Sequence, residues 1–475
     1  MNIIQIASEA VPFCKTGGLG DVAGALPSAI AKEGHTVSII LPYYTVKISH
    51  KKHKIRDAET KVRVSVDNKE VIGELFTCKI AHNVTAYLIK QDQYFNRAEL
   101  YQTPEGDYPD NAERFIFFTK AALHVASQLN PDIIHMHDWQ SAMVSVFLKT
   151  TYKNYKGLSK AKTLFTIHNL GYQGLFPHNA MQLTGLGWEY FTFDKLEFYG
   201  KLNFMKGGIA FSDAINTVSK KYAEEILTPE FGCGLEGALT YRKKDLYGII
   251  NGIDYSEWNP STDEFLTSKF DSKNIAGKAA CKAALQNIFK LPSNPKIPLF
   301  GIVSRLTSQK GFDILEAAMP DIMKQDLQIV ILGTGEKKYH EMLSRVAKEY
   351  PQKLALKIAF DNAIAHQIEA GSDFFLMPSH YEPCGLNQLI SLKYGTIPIL
   401  RATGGLDDTI EHNKNGFKFT NYDQASLLSC IYEALDAYKK PNEWKRLVQN
   451  AFQCDFSWNS SAREYINLYK KLATS

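Results

Sequence analysis

The sequence predicts an α/β protein of two Rossmann-like domains, each with a parallel sheet, facing a deep shared cleft. Three observations predict this. The chain has 475 residues, too many for one ordinary core. Short apolar runs alternate with helical patterns almost throughout, the mark of parallel α/β layers. Near residue 250 the pattern breaks, and a second, cleaner series of strands and helices begins.

Residues 3–7 (IIQIA) read as a buried strand, followed by a glycine-rich turn, a helix through Lys32 and a second strand over Thr36–Leu41. Residues 61–90 differ: KVRVSV, VIGELFTCKI and VTAYLIK read as antiparallel strands separated by polar turns. The parallel pattern resumes with a helix near 110–129 and strands at Ile133–His137, Lys162–Ile167 and Ala214–Val218. Residues 256–297 are polar, lysine-rich and carry several prolines, which suits a helical connector. Strands then recur at 298–304, 327–333, 354–359, 373–378 and 396–400. The predicted domains are 1–252 and 253–455, both Rossmann-like, and a C-terminal helix, 456–475, folding back on the first domain.

Composition excludes several classes. The chain is 45% hydrophobic and 22% charged, a globular balance, and its formal charge of +4 gives no footprint for nucleic acid. The densest basic run, Lys51-Lys52-His53-Lys54, reads as a solvated loop. Seven scattered cysteines without a CxxC pair indicate neither a disulfide framework nor a zinc site and favour a reducing cytosol. No run approaches the roughly 18 apolar residues of a membrane helix. The start, MNIIQIASEAVPF, lacks a basic n-region, and Glu9 interrupts its apolar run, so no signal peptide is expected. A cytoplasmic protein is the expectation.

The first glycine turn, Thr16-Gly17-Gly18-Leu19-Gly20-Asp21, follows a strand and opens a helix, where free N–H groups and the helix dipole favour an anion. Lys15 adds a charge beside it. Gly18, Gly20 and Ala23 also satisfy a dinucleotide fingerprint, but the second strand ends Leu41-Pro42-Tyr43-Tyr44 without the acid that would hold a ribose, so an NAD enzyme is disfavoured. The turn is echoed by Thr403-Gly404-Gly405-Leu406-Asp407-Asp408 in the second half. Arg305 and Lys310 flank another strand-to-helix turn, spaced to converge on one anion and to stabilise a departing diphosphate. His168, Asp138 and Trp139 sit at strand ends, where open α/β sheets place ligand contacts. His135 and His137 alternate on one strand, with one expected to face inward; neither reads as a metal ligand. Glu382 follows a strand, and a carboxylate there can stabilise an oxocarbenium-like sugar or hold a sugar hydroxyl. Cys384 lacks a neighbouring base and reads as a small buried residue.

Together these motifs resemble the bacterial glycogen synthase and plant starch synthase family, which has the GT-B fold. The resemblance runs from about residue 2 to 465, through SEAVPFCKTGGLGDVAGALP, HMHDW, TIHNLGYQG, NGID, VSRLTSQKG, SHYEPCGLNQL, LKYGT, RATGGLDDT and DFSW in that order. It implies retaining transfer of glucose from ADP-glucose to the non-reducing 4-OH of an α-1,4-glucan such as glycogen, with no cofactor and no metal ion. It further implies catalytic roles for Glu382, His168, Arg305, Lys310 and Asp138. Donor contacts are implied for Lys15, Gly17, Gly18, Asp21, Asn251, Cys384, Gly385, Leu386, Thr403, Gly404 and Gly405, and acceptor contacts for Tyr101 and Trp139. No nucleic-acid or membrane partner is implied, and the sequence carries no signal for an oligomeric state.

Two positions depart from the family pattern. Gln140 stands where bacterial relatives often have His after the Asp-Trp pair. Ile390 stands eight residues after Glu382, where the wider retaining family commonly carries a second Glu for the nucleotide ribose, which weakens a UDP-sugar transferase of the sucrose- or trehalose-making type. The rival readings are a UDP-sugar-dependent retaining transferase and a catalytically silent glucan-binding protein, which would retain aromatic contacts such as Tyr94, Phe95 and Tyr101. Only an enzyme has reason to keep Lys15, Arg305, Lys310 and Glu382 together.

Overall fold

A computed structural model describes residues 1–474, and the chain divides into two compact units: Met1–Ile250 together with the chain from Trp458 onward, and Asn251–Ser457.

The first unit is built on strands β1 (Asn2–Ile6), β2 (Thr36–Pro42), β3 (Arg56–Val66), β4 (Lys69–Ala81), β5 (Val84–Lys90), β6 (Ile133–His137), β7 (Lys162–Ile167), β8 (Ala214–Thr217) and β9 (Leu246–Gly248). Among the described residues they form one nine-stranded sheet in the order β9-β8-β7-β6-β1-β2-β5-β4-β3. The central strands are near-continuous apolar runs because both their faces are covered: Ile3, Ile4, Ile6, Ile133, Ile134, Phe165 and Ile215 are all fully buried. The β3–β4 ribbon instead alternates, with Val62, Val64 and Val66 inside and the residues between them exposed. The antiparallel reading of 61–90 holds for β3–β4 and β4–β5, while β5 lies parallel to β2 because two reversals restore the chain direction.

Helices α1 (Gly18–Lys32), α2 (Asn111–Leu129) and α3 (Trp139–Lys149) cover this sheet. Phe115, Phe117 and Phe118 of α2 are fully buried, and so, nearly, are Tyr94 and Phe95. Those last two rings are therefore core and not a glucan surface. A small three-stranded sheet (Leu175–Pro177, Glu197–Phe198, Lys201–Asn203) was not anticipated.

The second unit carries β10 (Leu299–Val303), β11 (Gln328–Gly333), β12 (Leu354–Ile358), β13 (Phe374–Met377), β14 (Ile397–Arg401) and β15 (Phe417–Phe419). They form a six-stranded sheet, β12-β11-β10-β13-β14-β15, in which every pairing is parallel. Between 256 and 297 only α4 (Ala276–Ile288) is α-helical. The expected solvated connector is instead anchored by buried lysines. The Lys278 ammonium donates to Ala370 O (3.0 Å), Tyr394 O (3.1 Å) and the Thr396 hydroxyl (2.6 Å), and burial lowers its pKa to about 8. Lys282 pairs with Asp373 at 2.6 Å.

The further helices used below are α5 (Phe312–Ile322), α6 (Asn387–Lys393), α7 (Gly404–Thr409) and α8 (Trp458–Thr474). The last helix rejoins the first unit: Trp458, Tyr465 and Tyr469 share a core cluster with Ile3, Val22, Leu26 and Ile30.

Both sheets have a topological switch. In the first unit β1 lies between β2 and β6, and in the second β10 lies between β11 and β13. At such a point the loops leaving the C-terminal strand ends diverge to opposite sides and leave room for a ligand.

Candidate active site

The first unit gathers its candidate residues where β1 and β6 end. After β1, the chain runs through Ser8 and Glu9 into the glycine turn. Gly17 and Gly18 face open space, whereas a Cβ at Gly20 would lie 2.5 Å from the Lys15 Cβ, so Gly20 permits the close turn that carries Lys15. The Lys15 ammonium pairs with Asp21 at 2.9 Å, with 47% of its side chain exposed. The Glu9 carboxylate takes two of the turn's amides, those of Thr16 (2.8 Å) and Gly20 (3.2 Å). Tyr101 closes the same network: its phenol lies 2.6 Å from the Ser8 hydroxyl and donates to Glu9 at 3.3 Å.

After β6, Asp138 has φ 56° and ψ −179°, a backbone region almost restricted to glycine that costs about 1–3 kcal/mol. Its carboxylate accepts the His168 N–H at 2.8 Å, joining the ends of β6 and β7. Burial raises the Asp138 pKa to about 7, against the N–H groups of His168 and Asn169 and with a further push from the Glu9 charge. The His168 ring meets His137 (Nε2 to Nδ1, 3.0 Å), and burial lowers its pKa to about 3, so it is a neutral hydrogen-bonding group. His135 and His137 are both fully buried, not one alone, with ring centroids 4.1 Å apart; His135 also contacts the Tyr469 hydroxyl of α8 at 2.8 Å. Trp139 is 9% exposed and packed among Phe115, Phe176, Phe204 and Tyr101. Gly174, at φ +64°, lies so close that a Cβ there would be 2.5 Å from the indole.

In the second unit the loops after β10 and β13 meet. Gly311, at φ +80°, lets the first turn press against Pro378: a Cβ there would lie 1.9 Å from the Pro378 carbonyl oxygen. This contact brings Lys310 to Glu382, and the two form a direct ion pair with side chains 20% and 10% exposed. The Ser379 hydroxyl donates to the same carboxylate at 3.4 Å. Arg305 is exposed on the same turn as Lys310 and contacts Gln309 at 3.3 Å. Cys384 is buried, which pushes its thiol up to about 12, against hydrogen bonds from Asn251; it is no nucleophile.

The second glycine turn has a structural task that its sequence did not disclose. A Cβ at Gly404 would lie 1.9 Å from the Glu382 carbonyl oxygen, and one at Gly405 would lie 2.2 Å from that of Cys384. The Gly405 amide donates to Pro383 O at 3.1 Å. These glycines, at the start of α7, let its backbone lie against the segment that carries Glu382. Gly385, at φ +74°, and Leu386 lead from that segment into α6. Asn251 is 4% exposed, and its Oδ1 has no hydrogen-bond partner.

This geometry matches known proteins over its whole length. Residues 2–241 match the family model of the starch synthase catalytic domain, and residues 285–451 that of glycosyl transferases group 1. A glycogen synthase of Koribacter versatilis is 47% identical over 479 residues, covering 99% of this chain and 98% of its own. One from Geotalea daltonii is also 47% identical, over the same shares. The chain belongs to the glycogen synthase and starch synthase family. Among solved structures, the catalytic domain of starch synthase IV from Arabidopsis thaliana, bound to ADP and acarbose, is similar with a TM-score of 0.90. It is 34% identical and the match covers 100% of this chain and 99% of that one. Sucrose-phosphate synthase from Thermosynechococcus elongatus shares the fold, with a TM-score of 0.63 at 17% identity over 100% of both chains.

Family membership gives the two parallel α/β lobes their name, the GT-B fold. The two departures from the family pattern are both buried. Gln140 is 5% exposed with an unpartnered Oε1, and Ile390 is 5% exposed in the core beside Leu389 and Tyr394. Among the described residues, no group of three or more His, Cys, Asp or Glu side chains is placed to hold a metal ion, and no helix is long and apolar enough to cross a membrane.

Proposed function

We propose that the protein is a glycogen synthase that moves glucose from ADP-glucose to the non-reducing 4-OH of an α-1,4-glucan with retention at the anomeric carbon. The observation that carries this reading is the Lys310–Glu382 ion pair at the second unit's switch point, with the exposed Arg305 on the same turn as Lys310. Two cations and one carboxylate at that point match the charges of the reaction: a diphosphate that gains negative charge and a sugar carbon that gains positive charge. Arg305 and Lys310 take the diphosphate, while Glu382 takes the glucosyl group.

Substitution proceeds on one face of the sugar. The bond from the anomeric carbon to the ADP oxygen breaks, and the bond to the acceptor 4-oxygen forms on the same face. The hydroxyl proton passes to the departing phosphate, so no side chain has to act as base. His168, neutral, and Asp138, held at the β6 and β7 ends, hold glucose hydroxyls, and the His168 carbonyl oxygen meets the developing cation. Lys15 adds a charge facing the donor, and Tyr101 an acceptor contact.

Incorporation of labelled glucose into glycogen from ADP-glucose, compared with UDP-glucose, tests the reading. We expect preference for ADP-glucose. Preference for UDP-glucose would keep the reaction and overturn the donor, and no transfer from either would leave a silent glucan-binding protein.

A metal-free mechanism is part of the proposal, because Arg305 and Lys310 supply the charge a divalent ion otherwise would. Dialysis against EDTA should then leave kcat unchanged within about twofold, whereas a required catalytic ion is worth several kcal/mol of transition-state stabilisation. A large loss restored by added Mg²⁺ or Mn²⁺ would refute it.

A further inference from the structure

Glu9 is 1% exposed, and no role above uses it as a substrate group. One of its oxygens accepts the Thr16 N–H (2.8 Å) and the Thr16 hydroxyl (2.7 Å), and the other accepts the Gly20 N–H (3.2 Å). The Gly17 N–H and the Tyr101 hydroxyl also donate to it. Burial raises its pKa, against these hydrogen bonds. A carboxylate surrounded by backbone N–H groups at the first turn of α1 occupies the place where a phosphate binds in other glycine turns. Gly17, the helix N-cap, has no side chain to satisfy those amides, so Glu9 does so from the preceding loop.

The arrangement has a mechanical consequence. Thr16 and Gly20 flank the turn, and Gly20 packs directly on Lys15. Holding both amides therefore sets the backbone from which Lys15 projects. The same carboxylate binds Tyr101 from a distant part of the chain.

We propose that Glu9 is a positioning residue, an internal anion at the N-terminus of α1 that fills the Thr16 and Gly20 amides and holds Lys15 and Tyr101 in place for glucosyl transfer. The proposal rests on the glycogen synthase reading above.

Anion rescue tests it. Glu9→Ala empties the carboxylate position, and kcat with ADP-glucose should fall about a hundredfold, the cost of a misplacement near 1 Å. The KM for ADP-glucose should change much less, because the main diphosphate cations lie in the other unit. Formate should restore roughly tenfold, in line with hydrogen bonds to a charged group. It should also raise the melting temperature of the variant and do neither to the wild type. Chloride at equal ionic strength should have no effect.

A folded Glu9→Ala variant with wild-type kcat would overturn the proposal, as would lost activity with neither rescue nor stabilisation by formate. Should Glu9→Ala not fold, Glu9→Gln decides: it keeps the shape but presents an amide donor to the turn's amides. It should lose kcat at near-constant donor KM, and wild-type kcat would overturn the proposal. If wild-type protein transfers no glucose from ADP-glucose, the functional reading fails, while formate stabilisation of Glu9→Ala still reports whether Glu9 occupies an anion seat.

Discussion

Glu382→Ala should lower kcat by about 10³-fold while glycogen affinity, measured by electrophoresis in glycogen-containing gels, stays near that of the wild type. The carboxylate lies against Lys310 on a segment whose backbone is clamped by Gly404 and Gly405, so its place is set before any substrate arrives. A charge held in advance costs no reorganisation when the sugar carbon becomes positive. Truncation also leaves the partly buried Lys310 without its partner, and part of the effect could come from a shift of that lysine. Glu382→Gln separates the two contributions. The amide oxygen still accepts from Lys310, so folding is preserved, but the negative charge is gone. We expect Gln to lose most of what Ala loses. A Gln variant with near-wild-type kcat would show that shape and not charge is what Glu382 supplies, and joint loss of transfer and glucan binding would count against its place at the reacting carbon.

The second half of the chain was the more legible in sequence, and the reason is physical. Its sheet is wholly parallel and its inner strands are buried on both faces, so they are near-unbroken apolar runs between helical patterns: the reading 327–333 became Gln328–Gly333, while the edge strand read at 354–359, Leu354–Ile358, is exposed at its end. Short strands such as Phe417–Phe419 and Glu197–Phe198 have too few residues to show any period, and they were missed. The polar composition of 256–297 suggested solvent, yet Lys278 and Lys282 are buried because they find carbonyl, hydroxyl and carboxylate partners far along the chain, which composition cannot display.

The candidate site shows the same divide. Strand ends located His168, Asp138, Arg305 and Glu382. Gly404 and Gly405 stood out in sequence as an echo of the first glycine turn, whereas in the structure their close neighbour is the protein's own backbone. Glu9 was noticed only as a charge interrupting an apolar stretch. An isolated carboxylate between a buried strand and a glycine turn is the signal that could have found it, since a charge there needs partners and the turn's amides are the nearest donors.

Asp138→Asn should reduce transfer and stabilise the fold at once. Asn has the size and shape of the Asp that already holds this strained backbone, and an amide oxygen can still accept the His168 N–H. Geometry therefore survives and only the charge is removed. Burial raises the Asp138 pKa from 3.8 to about 7, a shift worth roughly 4 kcal/mol. The sign follows from proton counting. Between the unfolded value near 4 and the folded value near 7, the native state holds a proton that the unfolded chain has lost. This contribution is thus favourable at low pH and disappears as pH rises through the folded pKa. At pH 8 the wild type bears the cost of a buried carboxylate, and Asn does not. The variant should melt higher at pH 8, with the gain shrinking towards pH 5. Its kcat should fall about 10²-fold, because a dipole replaces a full charge beside the sugar. The wild-type rate should also decline as pH drops below about 7, where Asp138 takes up its proton, and that acid limb should be missing in the variant. A destabilised Asp138→Asn protein at pH 8 would mean that the carboxylate is held by stronger compensation than its hydrogen bonds to His168 and Asn169. An unchanged acid limb would place the titrating group elsewhere, with Glu9, also raised by burial, the first to examine. A higher melting temperature together with a lower kcat would show that the fold bears a buried charge for the sake of the reaction.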